Sequence, residues 1–147
     1  MSGDYTRFSF DPTKGFSGVH EQQGRVSLDS DANEFEEILD RRDRSEMFDT
    51  VGPAVVPATT PTGFEIGVAG PSLTIGIGRV YVDGIQTECF GDLSDPKDTT
   101  FEPHLGGVVG NLPLLFDQQP FLFQPNFPGL PTASGVTCLV YLDVWQR

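Results

Sequence analysis

The sequence predicts an α+β fold that is mainly β: an extended N-terminal arm, one long helix, and a small antiparallel sheet region with a long loop. Three observations predict it. Helical periodicity occurs once, over residues 29–51. Short alternating runs punctuated by turn residues fill 63–90, and a dense β-type run returns at 136–145. Between them, residues 91–135 hold seven prolines, six glycines and five phenylalanines with almost no periodicity. At 147 residues there is room for one domain of ordinary size with a long arm. The expected units are an arm at 1–28, an attachment helix at 29–52 and a β-rich domain at 63–147. That last unit is expected to continue past Arg147, because the chain stops on a strand-like run without a frayed tail.

The arm carries Phe8 and Phe10 between polar neighbours, with Pro12 and Gly15 breaking any helix and Phe16 and Val19 as further apolar anchors. Such an arm is expected to lie against its own domain or a neighbouring subunit. The helix opens on Asp29, Ser30 and Asp31, and Asp31 with Glu34 fits a capping box. Phe35, Ile38, Leu39, Met47, Phe48 and Val51 recur at helical spacing, interrupted by a polar middle from Asp40 to Glu46. Glu37 and Arg41 sit four apart in the favourable order, and Gly52-Pro53 ends the helix. Residues 53–62 read as a Pro- and Thr-rich connector.

Strand runs are expected at Phe64–Val68, Leu73–Ile77, Arg79–Val82 and Ile85–Glu88. Asp83-Gly84 between the last two predicts a type I′ hairpin. Gly67, Gly76 and Gly78 signal bulges or tight strand packing. For 91–135 two readings stay open: a loop packed on its own core through Phe101, Phe116, Phe121, Phe123 and Phe127, or an excursion that reaches a partner. Val136 to Trp145 reads as a central strand.

Nine basic against twenty-one acidic residues give a formal charge of −12, which repels a phosphate backbone and argues against nucleic acid as a partner. No apolar run is long enough to cross a membrane, and the residues after Met1 do not read as a secretory signal. Cys89, Cys138, His20 and His104 lack zinc-ligand spacing. Both cysteines are expected as small buried hydrophobes, with a disulfide possible but not favoured. Asp29-Ser30-Asp31-Ala32-Asn33 resembles the start of a calcium loop, but the position needing glycine holds Glu34. Glu36, Glu37 and Asp40 lie beside arginines, so surface pairing explains them better than acid–base chemistry. No phosphate loop, dinucleotide fingerprint or nucleophile elbow is present. No catalytic residue, cofactor or metal is therefore expected, and the chain is not read as an enzyme.

Asp4-Tyr5-Thr6-Arg7-Phe8-Ser9-Phe10-Asp11-Pro12, Phe16-Ser17-Gly18-Val19, and Gln22-Gln23-Gly24-Arg25-Val26-Ser27-Leu28-Asp29-Ser30-Asp31-Ala32-Asn33-Glu34 together resemble the N-terminus of a family encoded in contractile injection system gene clusters, which make phage-tail-like particles. A similar signature opens some phage tail and baseplate proteins. Gly78-Arg79-Val80-Tyr81-Val82-Asp83-Gly84-Ile85 and Tyr141-Leu142-Asp143-Val144-Trp145 also look like that family, so the resemblance spans most of the chain apart from 91–135. Family members usually run well past the Tyr-Leu-Asp-Val-Trp strand. They often carry tryptophan where this chain has Ala32.

The resemblance implies a structural component at or near the baseplate, with the other baseplate subunits as partners and a symmetric homo-oligomer as its state. It implies assembly in the bacterial cytoplasm, followed by release or membrane anchoring of the particle, without direct membrane insertion of this chain. The alternative is a receptor- or carbohydrate-binding tail fibre module. The assembly residues implied are Phe8, Phe10, Phe16, Gln22, Gln23, Gly24, Arg25, Asp29, Asp31, Asn33 and Glu34. Arg25 has two open uses, pairing with Asp29 or Asp31 in its own chain or with a neighbouring subunit.

Overall fold

The computed structural model describes residues 9–120 and 137–145. One helix and a set of small antiparallel sheets make up the fold, so the mixed, mainly β layout expected from the sequence is present.

Helix α1 spans Asp29–Val51, within a residue of the expected bounds. Its start differs from the capping-box reading. Leu28 occupies the N-cap with extended backbone and no side-chain cap bond, while Asp29 and Asp31 lie inside the first turn. Their carboxylates suit the positive end of the helix dipole. The stop is as expected: Gly52 takes φ 87° and its N–H reaches the Phe48 carbonyl at 2.8 Å. The expected Glu37–Arg41 pair does not form among the described residues. The ion pair along the helix is Asp40–Arg44, at 3.8 Å and in the same favourable order. The apolar stripe also divides. Ile38 is buried, whereas Phe35, Leu39, Phe48 and Val51 stay exposed.

Strands β1 (Ala54–Val55), β4 (Gly78–Val82) and β5 (Ile85–Cys89) form one sheet in the order β1-β4-β5. β1 falls inside the stretch read as a connector, where it pairs Ala54 with Val82. Val82 pairs with Ile85 across Asp83-Gly84, whose φ values of 51° and 76° are both positive, as a type I′ turn requires. Strands β2 (Ile66–Ala69), β3 (Ser72–Ile75) and β8 (Leu114–Leu115) form a second sheet, order β2-β3-β8. β2 begins two residues later than expected, because Phe64 adopts φ 58° and its N–H reaches the Gly76 carbonyl at 3.0 Å. The expected tight packing at the glycines is clearest at Gly78. A Cβ there would lie 2.6 Å from Gly63 Cα, and φ is 150°.

The 91–135 stretch is not structureless where it is described. β6 (Thr99–Glu102) and β7 (Gly107–Gly110) form a hairpin, β8 follows, and Phe116–Gln118 make a 3₁₀ turn. Its buried anchors are Leu105 and Val109, not Phe101, which is exposed; Phe116 is half-buried. Phe121, Phe123 and Phe127 lie outside the described residues. The turn of this hairpin, Pro103 to Gly106, is longer than a two-residue hairpin signal, so the sequence pattern does not announce it. The run read as a central strand also differs: residues 137–145 form no strand, and most are exposed.

The core is thin. Ile75, Val80 and Cys89 from the sheets, Leu105 and Val109 from the later hairpin and Ile38 from the helix are its buried apolar side chains among the described residues. Buried Thr60 contributes a polar tie: its Oγ1 accepts from the Arg79 N–H at 3.2 Å. On β4 and β5, Arg79 faces Glu88 directly, and its Nε and Nη2 donate to one carboxylate oxygen at 2.8 and 2.5 Å. That bond raises the guanidinium above its ordinary pKa.

The helix meets the first sheet at the hairpin turn. A Cβ on Gly84 would lie 2.6 Å from the Arg44 carbonyl oxygen and 2.8 Å from its Cα, and φ 76° disfavours any side chain there. Gly106 has φ 65° but open space around it. Gly84→Ala should therefore lower stability by about 2 kcal/mol or more in urea unfolding, against about 1 kcal/mol for Gly106→Ala. Equal losses would show that the helix does not press on the turn.

Candidate assembly interface

The arm residues that the structure describes hold little regular structure. Pro12–Lys14 form a 3₁₀ turn capped by Asp11, whose carboxylate accepts from the Thr13 N–H at 3.0 Å and from Thr13 Oγ1 at 2.6 Å. These bonds hold the Asp11 pKa below its ordinary value, the side-chain bond first. The cap is thus fully present at neutral pH and is lost as pH falls through that lowered value. Arg25 N–H returns to the Gln22 carbonyl at 3.2 Å around Gly24, which takes φ 83°.

Among the described residues, the Ser9 side chain ties this segment to the helix. Ser9 Oγ donates to the Glu34 carboxylate at 2.5 Å and lies 3.4 Å from the Ser30 carbonyl oxygen. Glu34, read as half of a capping box, instead accepts this bond from Ser9. Ser9 carried no signal of its own in the sequence, since any hydroxyl or amide would serve.

Of the residues implied for assembly, Phe8 lies outside the described residues. Phe10 is half-buried and Phe16 exposed. Gln22, Gln23, Gly24 and Arg25 form an exposed turn, and Asp31, Asn33 and Glu34 are half-buried on the first turns of α1, with Asp29 exposed. Arg25 makes no ion pair among the described residues, so the intrachain pairing with Asp29 or Asp31 is not formed. The Gln22–Arg25 turn is exposed and precedes α1 by three residues in the chain.

Apolar surface accompanies them. Val26 and Leu28 before the helix, and Phe35 and Leu39 on it, are exposed. Phe35 and Leu39 are four apart on α1, which places them on one helix face, and Leu28 lies at the N-cap just before it. β2 is an edge strand with no charged residue, and its Ile66 and Val68 are exposed. Natural edges of this kind are usually shielded by charge or proline. On the β6–β7 hairpin, Phe101 pairs with Val108, and both are exposed.

An open groove of about 400 Å³ lies between α1 and the β4–β5 turn, lined by Asp40, Asp43, Arg44, Gly84, Ile85, Gln86 and Trp145. Arg44 spans it, 3.8 Å from Asp40 and 3.5 Å from Asp83. Asp40 and Arg44 are paired there, and the remaining lining carboxylate is that of Asp43.

Among the described residues, no group of three or more His, Cys, Asp or Glu could hold a metal ion, and no helix is long and apolar enough to cross a membrane. His20 and His104 are exposed. Both cysteines are free. Cys89 is buried as expected, and burial pushes its thiol pKa up; Cys138 is exposed, contrary to the reading from sequence, because its segment joins no sheet.

The chain belongs to DUF6519, a family of unknown function, whose model matches residues 1–87. That span takes in the arm, α1, β1 to β4 and the start of β5. No curated protein and no solved structure matches the chain.

Two measurements check these contacts. Ser9→Ala removes the tie between arm and helix, and tryptic cleavage after the exposed Lys14 should speed up by about threefold to tenfold, the loss of one charge-assisted hydrogen bond. An unchanged rate would mean that the arm is held elsewhere. In native protein near pH 8, a thiol reagent should modify Cys138 at least about a hundredfold faster than Cys89, with the difference abolished in denaturant.

Proposed function

We propose that the chain is a structural component of a contractile injection system, a phage-tail-like particle, located at or near the baseplate and attached through its N-terminal arm and α1. The sequence motif Gln22-Gln23-Gly24-Arg25, followed by Asp29, Asp31, Asn33 and Glu34, is the source of this reading. One structural observation carries it. That motif forms an exposed turn, and Val26, Leu28, Phe35 and Leu39 after it are exposed too, so polar recognition groups and unburied apolar surface follow one another along the chain. Surface of that composition suits a contact with another protein: an apolar centre with a guanidinium able to orient against carboxylates or carbonyls. Repetition of the subunit around a symmetric particle would let modest contacts add up. Its partners in this reading are other baseplate subunits and further copies of itself, with assembly in the bacterial cytoplasm. No catalytic step is assigned to it.

Incorporation into particles tests the proposal. Arg25→Glu should reduce the amount of the chain recovered in purified particles by at least about tenfold while its circular dichroism stays unchanged. Recovery equal to that of the unaltered chain would remove the arm from the interface.

A second reading, a receptor- or carbohydrate-binding module of the same particle, is favoured by one feature. The exposed Phe101–Val108 pair on the β6–β7 hairpin offers an aromatic contact. Under this reading Phe101→Ala leaves incorporation intact and lowers particle adsorption to target cells. Normal adsorption would exclude the hairpin as the contact.

A further inference from the structure

Residues 137–145 present an anomaly. Thr137-Cys138-Leu139-Val140-Tyr141-Leu142-Asp143-Val144-Trp145 has the composition of a strand, yet it joins no sheet. Its exposure is not uniform. Leu139, Tyr141 and Trp145 are 88%, 79% and 53% exposed, whereas Val140 and Leu142 are 40% and 43% exposed and Val144 is half-buried. From Leu139 to Trp145 the even-numbered side chains are thus less exposed than the odd-numbered ones, although Val140 and Leu142 are still exposed, and a period of two is the spacing of a strand with one face toward a sheet.

Among the described residues β5 ends the β1-β4-β5 sheet, with β4 on one side only. In a two-residue hairpin the pair flanking the turn, Val82 and Ile85, exchanges backbone hydrogen bonds, and bonded pairs then recur every second residue. The N–H and C=O groups of Ile85, Thr87 and Cys89 are therefore used toward β4. Those of Gln86 and Glu88 point to the open side. Trp145 lines the same groove as Ile85 and Gln86, so the end of the run already sits at the start of β5.

We infer that residues 140–145 dock antiparallel on β5 as the fourth strand of this sheet, with Trp145 opposite Gln86, Asp143 opposite Glu88, Val144 opposite Thr87 and Leu142 opposite Cys89. The adjacency of Trp145 fixes the direction: a parallel run would pass the turn and leave the edge unpaired. The alternation and the place of Trp145 beside Gln86 together fix the register. A slip by one residue would put Tyr141 and Trp145, the exposed side chains, on the face of buried Cys89. In the inferred register Trp145 and Asp143 meet the free groups of Gln86 and Glu88, while Val140, Leu142 and Val144 extend the apolar face that Ile85 and Cys89 begin. The one like-charge apposition, Asp143 with Glu88, is offset by Arg79, which already holds Glu88. Docking also covers an edge that would otherwise accept foreign strands. The inference stands apart from the particle reading and survives its failure.

The native Cys89 supplies the test. In a non-hydrogen-bonded antiparallel pair the Cα atoms approach closely enough for a disulfide. The full chain carrying Cys138→Ser and Leu142→Cys should form an intrachain disulfide with Cys89 under copper–phenanthroline oxidation. Cys138→Ser with Tyr141→Cys, whose side chain lies on the other face, should crosslink at least about tenfold more slowly. Hydrogen exchange gives a second readout without cysteines: the Gln86 and Glu88 amides of the unaltered chain should be protected, and Val144→Asp should speed their exchange about tenfold or more while the β4-facing amides of Thr87 and Cys89 keep theirs. Equal crosslinking of the two variants, a crosslink between two chains in place of one within a chain, or unprotected Gln86 and Glu88 amides in the unaltered protein would each overturn the docking.

Discussion

The contact between Gly84 and the backbone of Arg44 holds the arrangement together. A two-residue type I′ turn has the right twist for β4 and β5, and it demands positive φ at both Asp83 and Gly84. The same lack of a side chain that allows the turn also allows the helix backbone to close on it. With that approach fixed, Arg44 comes within reach of Asp83, the open groove forms between helix and hairpin, and Trp145 finds its place beside Ile85 and Gln86. The helix face that carries Phe35 and Leu39 is left without cover by the same geometry. Among the described residues the buried apolar core is small, and Phe35 and Leu39 of the helix stay exposed. That fits a chain whose surfaces are completed by neighbours.

The sequence made some of this legible, and the reasons differ by element. The helix could be bounded because its end is chemical: Gly52-Pro53 cannot continue it, and acids crowd its start. The β4–β5 hairpin could be typed because Asp-Gly has few other uses between two strand-like runs. The first cap was misjudged because Asp29, Ser30 and Asp31 all have capping oxygens, and composition does not say which residue has left the helix; the chain placed Leu28 there. The β6–β7 hairpin was hidden by prolines and glycines that read as loop, although Val108-Val109 and Thr99-Thr100 have strand preference. The run at 137–145 was read as a strand from residue type alone, and strand type does not supply a partner.

The candidate interface shows the same division. The exposed Gln22–Arg25 turn follows from Gly24 and from polar neighbours, both visible in the sequence. The bond from Ser9 to Glu34 was not, because it joins residues twenty-five apart through two side chains common on any surface. Only coordinates reveal that the arm residue and the helix carboxylate share a location. Family membership adds the extent of the unit: the matched span of 1–87 holds the arm, the helix and the β1–β4 pairing, so these travel together as one recognisable piece.

The central claim is that the arm and α1 form the attachment surface of a particle subunit. The most direct measurement is a cryo-EM reconstruction of native phage-tail-like particles purified from cells that produce this chain. The account predicts density for residues 9–51 seated against baseplate subunits, with the Gln22–Arg25 turn, Leu28 and the Phe35 and Leu39 face in contact. Particles that lack the chain, or that hold it with this face open to solvent, would contradict it.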